Sequence, residues 1–131
     1  MTYLPSSDTA ATGRYQVLLY DNNFDATERY PKFDWGQLGA AVVTDYNKGT
    51  HSFGRIFTVD EVARTYGLED QIAVPFSGYV SSVQRVGNSN SMLVASGQAK
   101  IFTEYDRYGL PITTYEMEAE KYIYRVYKYE L

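Results

Sequence analysis

A chain of 131 residues is long enough to bury one modest hydrophobic core. Its 44% hydrophobic and 21% charged residues are the composition of a folded protein, which excludes disorder for the body of the chain. A net charge of −4 argues against a non-specific nucleic-acid binder, because neutralising phosphates requires an excess of Lys and Arg.

Residues 1–13 are rich in Ser, Thr, Ala, Asp and Gly and hold little to bury, so they read as a flexible N-terminal arm that orders on docking. Residues 14–131 then read as a single β-sandwich domain. Residues 14–20 place Tyr15, Val17 and Leu19 on one side and Gln16, Leu18 and Tyr20 on the other, a strand covered on both faces. Asp21, Asn22 and Asn23 open a turn, and the stretch to Gly39, with Pro31, Trp35 and Gly36, reads as a long packed loop. Short strands are expected at 40–44 and 55–58.

The single helix signal spans about 59–66. Thr58 and Glu61 have the spacing of a capping box, Val59, Val62, Ala63 and Tyr66 share a face, and Gly67 suits the C-cap. Strands follow at 72–75, 79–86, 92–95, 99–105 and 112–117, separated by Ser/Gly/Asn turns. The tail from 115 to 131 continues as strand, with an apolar phase that shifts near Lys121 and suggests a bulge. Seven to eight short strands with regular turn signals define an all-β fold, an antiparallel sandwich or jelly-roll-like domain with one short helix.

Chemistry-bearing motifs are sparse. The chain has no cysteine, which removes disulfides and thiolate metal sites. Its first residues show neither a basic n-region nor an apolar h-region, and no stretch reaches the roughly 18 apolar residues of a membrane span. His51 is the only histidine and lacks a nucleophile elbow nearby, so it reads as a loop residue. Asp21, Asn23 and Asp25 imitate the start of a calcium loop, but Ala26 and Lys32 stand where Gly and Glu are needed, and an Asx-rich turn is the simpler reading. Glu116, Glu118 and Glu120 fall on one strand face, read as a solvated edge. No phosphate loop or dinucleotide fingerprint occurs. The expectation is therefore a non-enzymatic protein with no cofactor, no metal, no membrane and no nucleic acid.

Tyrosine is the strongest compositional signal, at 14 residues. Its large ring and wet hydroxyl suit contact surfaces. In the tail, TYEMEAEKYIYRVYKYEL, residues Tyr122, Tyr124, Tyr127 and Tyr129 are expected to form a partner interface together with Tyr3 and Leu4 of the arm. The competing reading places the tail tyrosines in the domain's own strands, since aromatics are good strand formers.

Residues 72–95, IAVPFSGYVSSVQRVGNSNSMLVA, resemble a pattern found in small virion β-domains of tailed bacteriophages. A strand ending in Pro75 leads through a small turn at Gly78 into an alternating strand, a polar turn and another strand. The resemblance covers roughly 70–117. It implies a capsid decoration or cement protein, located in the virion after assembly in the host cytoplasm. Its partners would be the major capsid protein or another virion protein, with self-association. A second resemblance is to the βγ-crystallin-like domains: residues 17–24, VLLYDNNF, resemble the opening of their Greek key, and residues 80–86 resemble its later Ser-Ser strand. That alternative implies a calcium-binding module.

Overall fold

In β-structure successive side chains point to opposite faces, so every second residue of a strand can turn inward, as Ser52, Gly54 and Ile56 do here. The computed structural model describes residues 2–4, 13–23, 32, 51–87 and 90–129. Strands β1 (Thr2–Leu4), β2 (Arg14–Asp21), β3 (His51–Asp60) and β4 (Thr65–Pro75) form one antiparallel sheet in the order β1-β2-β3-β4. Strands β5 (Ser81–Val86), β6 (Ser91–Ser96), β7 (Ile101–Tyr105) and β8 (Pro111–Glu116) form the second, in the order β5-β6-β7-β8. The protein is thus an all-β sandwich of two antiparallel meanders.

Leu18, Ile56, Ile72 and Val74 of the first sheet meet Val83, Met92, Val94 and Tyr105 of the second in one buried cluster. Each such side chain contributes about 1.5–3 kcal/mol relative to exposure. The register explains the match: Leu18 lies opposite Ile56, and Val83 opposite Val94. β8 lies outside this overlap, and all its residues are exposed.

No helix occurs among the described residues, so the short helix expected at about 59–66 is not formed. Thr58, Val59 and Asp60 instead pair with Gly67, Tyr66 and Thr65 across a β3–β4 hairpin. The capping signal was a turn signal. Asp60 Oδ1 accepts the Ala63 amide at 2.8 Å, and Arg64 takes φ 54° to reverse the chain. Glu61 does not reach back to Thr58; its amide donates to Gly13 O and its carboxylate accepts from Tyr15 Oη. A helix there would have had to bury its apolar face, yet Val62 is 81% exposed. With nothing to cover that face, the ladder available to two β-branched residues wins over local helix propensity.

Two other expectations shift. Thr2–Leu4, within the expected arm, pair with β2, with Thr2 opposite Leu18. The tail is not a strand beyond Glu116: residues 117–129 leave the sheet. The expected strand at 40–44, the loop before it and Asp25 lie outside the described residues.

Candidate functional site

Where the chain passes from β4 into β5, buried polar groups bind each other because water cannot reach them. Ser52 and Ser77 are fully buried. Ser52 Oγ accepts the Ser77 amide at 2.9 Å and faces the carbonyls of Asn22 and Ser77. Ser77 Oγ faces the carbonyls of Tyr79 and Val80 and accepts the Gln98 amide at 3.0 Å. Val80, a β-branched residue, is held here at φ 49°. Its carbonyl also accepts the Gly97 amide at 3.0 Å. Gly97 carries the tightest backbone approach: a Cβ there would lie 2.1 Å from both Val80 O and Ile123 O. Only glycine fits where three chain segments meet.

The third of those segments is the tail, which runs over the outer face of the second sheet. Ile123 N donates to Gly97 O, and Lys100 Nζ donates to Ala119 O. Ser82 Oγ bonds both the amide and the carbonyl of Val126, at 3.1 and 3.2 Å. The Gln84 amide does the same for Lys128, at 2.8 Å in each direction. These side chains replace the backbone ladder that a ninth strand would have used. Lys128 Nζ completes the attachment on Glu104 at 2.8 Å. Under this strap all six residues of β6 are buried.

Between strap and sandwich lies a cleft of about 280 Å³ lined by Tyr20, Asn22, Ser81, Ser82, Val83, Arg125 and Tyr127. Among the described residues its lining holds one cation and no carboxylate. Asn22 Nδ2 donates to Ser77 O at 2.7 Å and to Ser81 Oγ at 3.3 Å, which fixes one wall. Tyr20 Oη lies 2.9 Å from Ser96 Oγ and 3.3 Å from Pro75 O. Burial pushes the Tyr20 hydroxyl above its ordinary value of 10.0, so it remains a neutral phenol through the physiological range. Arg125 stacks on the Tyr124 ring at 4.8 Å, and no carboxylate pairs with it among the described residues. The accessible lining of the cleft is almost wholly polar, and Arg125 is the cation among its described residues.

Of the residues singled out from sequence, Tyr127 lines this cleft, while Tyr122 packs edge-on against Tyr79 at 5.7 Å. Tyr124 and Tyr129 are 61% and 77% exposed. Ile123 and Val126, not the tyrosines, turn towards the sheet. The side chains of Tyr3 and Leu4 lie outside the described part. His51 sits at the start of β3 with its ring edge-on to Phe53 at 4.9 Å. Asp21 Oδ1 accepts the Asn23 amide at 2.8 Å, an Asx turn, and its other oxygen pairs with Arg55 at 2.5 Å. Among the described residues no cluster of three or more His, Asp or Glu is placed to hold a metal. Glu116 ends β8, and Glu118 and Glu120 are exposed beyond it, so the three do not share a strand face.

Arg125, Tyr20, Asn22 and Ser81 were not singled out from sequence as site residues. They come from three places far apart in the chain, and no local spacing marks them.

The family model of arylsulfotransferase (ASST) matches residues 1–128. The chain belongs to the arylsulfotransferase family. No curated protein and no solved structure matches it. The family match overturns the expectation of a bacteriophage virion protein, a capsid decoration or cement protein without enzymatic activity: this family is one of enzymes. The pattern at 72–95 reflects the end of β4, the crossing to the second sheet and the β5–β6 hairpin, a geometry that unrelated β-proteins share. Nothing supports the βγ-crystallin alternative, whose candidate calcium residue Asp21 is engaged by Arg55.

Proposed function

We propose that the protein takes part in sulfuryl transfer between an aryl sulfate and a phenolic acceptor. The observation that carries this reading is the family match across residues 1–128. In the overall reaction the S–O bond to the donor's aryl oxygen breaks and a new S–O bond forms to the acceptor oxygen. The proton of the acceptor hydroxyl ends on the departing phenolate, so charge and redox state balance. Such a reaction needs a site that holds a monoanionic sulfate ester and steadies the charge developing on its oxygens. A cleft whose guanidinium has no carboxylate partner among the described residues, with neutral hydroxyls beside it, is suited to the first task.

The test is to incubate the purified chain with 4-nitrophenyl sulfate, with and without phenol. The expected result is release of 4-nitrophenol that depends on phenol, with phenyl sulfate detected by mass spectrometry. Release no faster than in buffer, at every acceptor concentration tried, would sink the reading.

A further inference from the structure

A terminal strand leaves one row of backbone groups unpaired, and β8 is the terminal strand of the second sheet, with no strand on its outer side among the described residues. One bond fixes which groups these are. The Met117 amide donates to Lys100 O at 2.9 Å, so Met117, Tyr115 and Thr113 turn their backbone groups towards β7. Thr114 and Glu116, which alternate with them, turn their amides and carbonyls outward.

Three features set this edge apart. It lacks the usual protections: no Lys or Arg stands between Pro111 and Glu116, and Pro111 opens the strand, where it blocks neither outward residue. The β4 edge of the first sheet differs, since it carries Glu69 and Asp70 on its exposed part and shifts register against β3. Apolar side chains also gather at β8, where Tyr108, Leu110, Ile112, Tyr115 and Met117 are all exposed. Finally, charge is divided along the hairpin. Arg107 stands in the turn before β8, stacked on the Tyr108 ring at 4.7 Å, while Glu116, Glu118 and Glu120 stand at and beyond the other end. The Asp106 carboxylate is engaged within the turn by the Tyr108 and Leu110 amides, at 2.8 and 2.9 Å.

We infer that β8 is a self-pairing edge: the β8 strands of two copies of this chain join antiparallel about a two-fold axis at Tyr115, making one continuous sheet. A two-fold axis perpendicular to the sheet keeps each face on its own side, so it falls on a residue and not between two. At Tyr115 it sets Thr114 of one copy opposite Glu116 of the second, and each such pair exchanges N–H···O=C bonds in both directions. All the outward groups of both residues are then satisfied. Tyr115 meets Tyr115 of the second copy in the closer, non-hydrogen-bonded kind of pair, which extends the stack that each already makes on Phe102 at 4.7 Å. Charge selects the direction. Antiparallel pairing brings the Arg107 end of one hairpin towards Glu118 and Glu120 of the second, whereas parallel pairing would run the two acidic ends side by side.

The experiment is sedimentation velocity of the intact chain over a series of concentrations. A reversible dimer is expected, with a dissociation constant on the order of 10 μM for so small an interface. Glu116→Pro removes an outward amide and no bond to β7, so it is expected to weaken the dimer at least about tenfold while leaving the melting temperature of the monomer unchanged. The absence of native cysteine provides a second measurement. Tyr115→Cys brings the substituted positions of two copies to about 4.5 Å between Cα atoms, within disulfide range, whereas Thr113→Cys leaves them on opposite sides of the axis and beyond that range. Mild oxidation is expected to crosslink Tyr115→Cys at least about tenfold faster than Thr113→Cys. A chain that stays monomeric at every concentration would overturn the inference and leave the edge to another occupant. A dimer that Glu116→Pro does not weaken would overturn it too, as would equal crosslinking of the two cysteine variants.

Discussion

The two sheets bury their strands in different ways. In the first sheet, β4 is covered where Ile72 and Val74 face the partner sheet, while its residues 65–71 are exposed and Val62 at the hairpin tip stands in solvent. In the second sheet, β6 is buried along its whole length, because the partner sheet covers one face and the strap covers the other. That outer cover has no regular secondary structure. Its backbone groups are satisfied by Ser82 and Gln84 side chains, so a β-strand can acquire a second protected face without a third sheet. The lesson is that the strap both completes the core and brings Arg125 to the cleft.

Breaking the strap at its tightest point is the strongest test of this contrast. Gly97→Ala is expected to cost about 3 kcal/mol or more, because backbone rather than a flexible side chain occupies the space of the new methyl group. Urea unfolding would measure it, and a loss under about 1 kcal/mol would show that the three segments do not meet as described.

Ser77→Ala follows, at about 1–3 kcal/mol, since it strips the Gln98 amide and the carbonyls of Tyr79 and Val80 of a buried partner. Thermal melts should show this loss, and Ser77→Gly should not restore it.

A smaller effect sharpens the comparison by separating the strap from the core. Gln84→Ala is expected to cost about 1 kcal/mol and to speed amide exchange at Val126 and Lys128, leaving Leu18 and Ile56 protected. Uniform acceleration throughout the sandwich would mean that the strap and core open together.

The smallest effect is expected at the open hairpin. The Asp60 carboxyl is held below its ordinary value of 3.8, first by the Ala63 amide and then by Arg14. A lowered folded-state value means the contribution is present above 3.8 and is lost as pH falls through the lower folded value. Melting temperatures between pH 5 and pH 2 should fall slightly less in Asp60→Asn than in the native chain. Identical slopes would remove Asp60 from the account.

Much of the fold was readable from residue order. The strand at 14–20, the alternation at 79–86 and the apolar run at 92–95, punctuated by Ser96-Gly97 and residues 106–110, mark strands and turns whatever the tertiary context. The helix expected at 59–66 shows the limit of local signals. Asp60 capping a turn and Thr58 capping a helix look alike over four residues, and only the partner strand 65–67 distinguishes them. The bulge expected near Lys121 is not formed, because the strand ends earlier, at Glu116, and Lys121 lies in the irregular tail beyond it.

By itself, the sequence determined an all-β sandwich without cysteine chemistry, because side-chain periodicity and turn residues act over a few positions. The tertiary structure decided the rest. It chose hairpin over helix at 58–67, laid the tail across β6, and gathered Tyr20, Ser81 and Arg125 around one cleft. Tyr20 and Arg125 stand more than a hundred positions apart in the chain, and the contacts that bring them together depend on which faces remain to be covered once the two sheets have packed.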